Sequence, residues 1–63
     1  MLSKIKIHCH GGDDYYFIIK TEKTLSELFT EAEEKNYILI EDGRVLIPFK
    51  NIFMIEHLGK VVS

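Results

Sequence analysis

The residues with the most evident chemistry lie near the start, where His8 and His10 flank Cys9 and are followed by Gly11-Gly12-Asp13-Asp14. Alternate residues of a strand share a face, so two imidazoles at this spacing can meet one metal ion, with His57, Asp13 or Asp14 as further donors. Two histidines without fixed additional ligands more often form a solvated polar face, and a metal site at His8 and His10 is the lesser expectation. Cys9 points to the opposite side and reads as a small buried hydrophobe. Gly11-Gly12 is a turn, because neither a Lys-Ser/Thr pair nor a helix start follows it as a phosphate loop requires. Glu22, Glu27, Glu31, Glu33 and Glu34 make an acidic helix surface that could steer a basic partner, but nothing on an exposed helix would raise their pKa values for acid–base work. With no catalytic triad, phosphate loop or zinc pattern, the expectation is a protein that is not an enzyme and uses no cofactor.

The elements that position these groups follow from periodicity. Lys4 to His10 alternates strictly, which predicts a strand with Ile5, Ile7 and Cys9 inward and Lys4, Lys6, His8 and His10 outward. Tyr15 to Lys20 is the returning strand, and an odd loop aligns Tyr15, Phe17 and Ile19 with the inward set. Lys4, Lys6, Tyr16 and Lys20 then share the other surface, a mixture of cations and a ring that nucleic-acid-binding sheets use. Thr24 with Glu27 three residues on is a capping box. Leu25, Leu28, Phe29 and Ala32 recur at helical spacing as one apolar stripe, and Asn36 is a left-handed stop.

Asp42-Gly43 between two β-branched runs predicts a two-residue hairpin turn, with Ile38 opposite Ile47, Leu39 opposite Leu46, Ile40 opposite Val45 and Glu41 opposite Arg44. Ile38, Ile40, Val45 and Ile47 form one face of that hairpin. Pro48 ends its second strand. Phe49-Lys50-Asn51 turns the chain into a strand from Ile52 to His57, whose expected parity puts Ile52 and Met54 on the first face and Phe53 and Ile55 on the second. Leu58 to Ser63 is a short tail, with Val61 and Val62 able to extend a strand. The arrangement of Gly43, Pro48, Asn51-Ile52 and Ile55-Glu56 resembles segments of small bacterial and bacteriophage proteins, a likeness of hairpin and strand that carries no activity with it.

The 63 residues allow one α+β domain, 1–63, in β-β-α-β-β-β order, with one helix packed on one face of a single, mainly antiparallel sheet. A chain this short buries only about 60% of its unfolded surface, so help from a partner is expected. One cysteine excludes an internal disulfide, and no stretch has the length and apolarity of a signal peptide or membrane span. A cytoplasmic protein that does not bind membranes is expected. The net charge of −2 supplies no general attraction for nucleic acid.

A sheet of four or five strands is roughly 20 Å wide and one helix only about 10 Å across, so the second sheet face is expected to stay apolar and open. Tyr16, Ile18, Tyr37, Leu39, Leu46, Phe53 and Ile55 are the residues assigned to it. The leading expectation is a non-enzymatic interaction or regulatory module, a bacterial or bacteriophage accessory protein acting as a homodimer or by covering this face with another protein. The alternative is a nucleic-acid-binding or metal-responsive regulator that uses Lys4, Lys6, His8 and His10.

Overall fold

The computed structural model describes residues 2–61. Five strands and one α-helix follow in the order β1 (Ser3–Cys9), β2 (Tyr15–Thr21), α1 (Leu25–Lys35), β3 (Tyr37–Ile40), β4 (Val45–Pro48) and β5 (Ile52–Lys60), with a single 3-10 turn, Phe49–Asn51, before β5. This is the expected α+β order. The single sheet is not what forms: β2-β1-β5 make a three-stranded antiparallel sheet, and β3-β4 a separate two-stranded one. The chain bends at Pro48 and the 3-10 turn, which carries β5 away from β4 and lays it beside β1.

Local chemistry accounts for each element. Glu27 N–H donates to Thr24 Oγ1 at 3.1 Å while Thr24 N–H donates to Glu27 Oε1 at 3.2 Å, so two of the helix's free donors are satisfied reciprocally. Asn36, at φ 67°, stops the helix in the left-handed region. Pairing of β1 with β2 sets Cys9, Ile7 and Ile5 against Tyr15, Phe17 and Ile19, the alignment of an odd loop. The β3–β4 ladder has the expected pairs Ile38–Ile47, Leu39–Leu46 and Ile40–Val45. Its turn begins one residue early, since Glu41 and Asp42 as well as Gly43 have positive φ and Gly43 N–H donates to Ile40 O while Arg44 N–H donates to Glu41 O.

The core gathers Ile5, Ile7 and Cys9 of β1, Leu28 and Ala32 of α1, and Ile38, Ile40 and Ile47 of the hairpin, with Phe17, Ile19, Val45, Phe49, Ile52 and Ile55 packed around it. Two β-bulges in β5 correct its expected parity. Cys9 faces Ile52 but His8 faces Met54, which leaves Phe53 as the extra residue, and a second shift makes Leu58 the extra residue between His57 and Gly59. Ile52 and Ile55 therefore both turn toward the core, whereas Phe53 and Met54 both face out. The strand continues through the expected tail as far as Lys60; Val62 and Ser63 lie outside the described residues.

Candidate binding surfaces

The seven residues assigned to one open apolar face are divided by the split between the sheets. Tyr16, Ile18 and Phe53 lie on the outer surface of the three-stranded sheet, and Tyr37, Leu39 and Leu46 on the outer surface of the hairpin, where Leu39 and Leu46 are 52% and 54% exposed. Ile55 does not belong with either group, because the bulge at Phe53 turns it against the core opposite Ile7.

The polar surface of β1 forms as its alternation requires. Lys4 pairs with Lys20 and His8 with Tyr16, while the Lys6 ammonium stands 4.2 Å from the centre of the Tyr16 ring, a cation–π contact. Lys4, Lys6, Tyr16 and Lys20 thus share one surface. His8 and His10 are engaged separately: His8 Nε2 lies 3.2 Å from Glu56 Oε1, and His10 Nδ1 3.9 Å from Asp14 Oδ1. The Phe53 ring packs against both imidazoles, at 5.7 and 4.5 Å between centroids. Among the described residues no three His, Cys, Asp or Glu side chains converge as a metal-binding group. Cys9 is buried, with its Sγ 3.8 Å from Ile7 O, and burial pushes its thiol pKa up.

The acidic helix surface is partly engaged in structural bonds. Glu27 caps the helix, and Glu31 is held between Lys23 and Lys35. The hydrogen bond from Lys23, followed by that from Lys35, keeps the Glu31 carboxyl below the ordinary carboxylate value.

Periodicity does not reveal that the helix's apolar stripe is only half covered. Leu28 and Ala32 are buried, whereas Phe29 is 51% exposed. With the exposed Leu25, it forms one wall of an apolar groove of about 380 Å³ whose other wall is Phe49 and the β5 residues Ile52, Phe53, Met54 and Ile55. Phe29 meets Phe49 edge to face at 5.6 Å. The spacing of Leu25 and Phe29 was the available signal, but it does not tell whether the surface opposite is covered. A second opening, about 590 Å³, separates β2 from β3 above Leu28 of the helix. No described helix is long and apolar enough to cross a membrane. Comparison of the chain with protein-family models, with curated proteins and with solved structures finds no match.

Proposed function

We propose that the protein is a non-enzymatic, cytoplasmic interaction module that acts as a homodimer, with the α1–β5 groove as the self-association surface. The observation that carries this reading is the groove's lining, in which Leu25, Phe29, Phe49, Phe53 and Met54 are apolar and no titratable side chain takes part. Such a lining favours burial against another apolar surface over catalysis. Surface area supports the same reading: the chain exposes 4600 Å², against about 4200 Å² for a typical monomer of its 7.4 kDa mass. Two copies meeting across a two-fold axis hide the groove on both at once.

Sedimentation equilibrium at micromolar concentration tests the proposal with Phe29→Lys, a helix-compatible change at a half-exposed site, and Leu39→Lys, on the separate hairpin surface. A dimer mass for the wild type and Leu39→Lys, with a monomer mass and an unchanged circular dichroism spectrum for Phe29→Lys, is expected. A monomeric wild type, or a dimer indifferent to Phe29→Lys, rejects it.

A second reading rests on the shared surface of Lys4, Lys6, Tyr16 and Lys20, which suits a nucleic-acid backbone. It predicts oligonucleotide binding that weakens steeply with salt, roughly in proportion to the phosphates contacted. Salt-independent or absent binding removes that reading, and native mass spectrometry with zinc separately tests the metal-responsive form through His8 and His10.

A further inference from the structure

The two sheets end in strand edges that border one cleft. Successive residues of β2, Ile18 to Thr21, line one wall and successive residues of β3, Tyr37 to Ile40, the other. Successive residues of a strand point to opposite faces, so walls that include both kinds are strand edges and not sheet faces. Among the described residues β2 is paired only with β1, and β3 only with β4. Each wall therefore offers a row of main-chain N–H and C=O groups with no ladder partner among the described residues.

We propose that this cleft receives an extended peptide strand from another protein, which pairs with β2 on one side and β3 on the other and joins the two sheets into one. The inference builds on the reading of an interaction module but concerns a different surface from the α1–β5 groove.

Three features select such an occupant. First, the other two open edges are less regular: β5 carries two bulges, and β4 ends in Pro48, which has no N–H to donate. The registers of β2 against β1 and of β3 against β4 run without interruption, so β2 and β3 present regular edges. Second, the base of the cleft is mixed, with Leu28, Ile19, Ile38 and Ile40 on the core side and the ion-paired Lys23, Glu31 and Lys35 beside them. A strand laid there places every second side chain on that base. Third, the rim is charged in both senses, with Lys20 on the β2 side and Glu41 and Asp42 on the β3 side, Lys23 being bonded to Glu31. The outward positions of the occupant thus suit a residue of each sign, and the four residues of β3 limit its doubly paired length to about 13 Å. Main-chain bonds supply affinity in this mode, and the alternation supplies selectivity.

The probe is the peptide acetyl-Lys-Val-Thr-Val-Glu-Val-Thr-amide, with two N-methylated versions, one methylated on the valines and the other on the interleaved residues. Each version removes the donors from one edge of the peptide. Binding to the full chain at about 1 mM peptide is followed by amide exchange in nuclear magnetic resonance. The parent peptide is expected to slow exchange about tenfold at inward-pointing amides in both 18–21 and 37–40, and both methylated peptides are expected to do nothing. No protection, protection of one wall alone, or equal binding by either methylated peptide overturns the proposal. Sedimentation of the same samples reports self-association separately, so loss of one proposal leaves the other standing.

Discussion

Replacing Thr24 by Ala tests the link between the capping box and the apolar groove. The substitution removes the acceptor of the Glu27 N–H at 3.1 Å, while the reciprocal bond from Thr24 N–H to Glu27 Oε1 remains available. Both bonds are exposed, so water replaces what is lost, and the expected cost is about 1 kcal/mol. For a domain of this size that lowers the melting temperature by about 4–8 °C. Glu27→Ala removes the other half of the same device, and the double variant should lose less than the sum of the singles, by about 0.5 kcal/mol. Thr24→Ser and Glu27→Gln keep both bonds and should melt within about 2 °C of the wild type. Leu25 and Phe29 sit in the first turns after the cap, so fraying there also loosens one groove wall and should weaken the self-association proposed above. Thermal unfolding by circular dichroism over a wide range of protein concentration provides both readings, since self-association would make the melting temperature depend on concentration. A drop under about 1 °C for Thr24→Ala, or strictly additive single losses, would refute the reasoning.

Ile7→Ala should cost about 2–5 kcal/mol, because the side chain is fully buried between Phe17 and Ile55 on the central strand. Total stability for a chain this short is about 3–9 kcal/mol, so urea titration should find the midpoint of the variant lowered by a large fraction; a transition at the wild-type midpoint contradicts the core as described. Because the folded Glu31 pKa is depressed, its contribution is present above the ordinary carboxylate pKa of about 4.3 and is lost as pH falls through its lower folded value. Lys35 behaves oppositely: the hydrogen bond to Glu31 raises its pKa, so its contribution holds below about 10.4 and is lost as pH rises through the raised value. Glu31→Gln should flatten both limbs of the stability–pH curve, and an unchanged curve counts against the bridge. Cys9 should resist iodoacetamide at about pH 8 in the folded protein and react readily in urea, as mass spectrometry of the adduct would show; equal rates contradict its burial.

Features that depend on neighbours in sequence were legible before any coordinates. The cap at Thr24, the stop at Asn36, the odd loop after Cys9 and the pairing of Ile38 with Ile47 each follow from a local rule, and all of them form. Strand order was not legible in the same way. Whether β5 joins β4 or β1 depends on competition between a near partner and a distant one, and the bend at Pro48–Asn51 decides it in favour of β1. The parity of β5 failed for a related reason, since an extra residue at Phe53 is defined only against a partner strand. The lysine–tyrosine surface was readable because β1 and β2 are adjacent in sequence. The half-covered helix stripe was not, because exposure of Phe29 depends on what the distant β5 leaves open.

The placement of β1 between β2 and β5 also bears on how the chain folds. The β1–β2 and β3–β4 hairpins and the helix involve only nearby residues, and such elements form in microseconds. Pairing Cys9 with Ile52 closes a loop over most of the chain, so this step carries a larger loop-closure cost than either hairpin. Until β5 docks, the central strand lacks its second neighbour and Ile7 lacks Ile55 above it. A chain ending before Ile52 would therefore leave Ile5, Ile7 and Cys9 without the strand that covers them on one side, and such exposed apolar surface is more prone to aggregation than the completed domain.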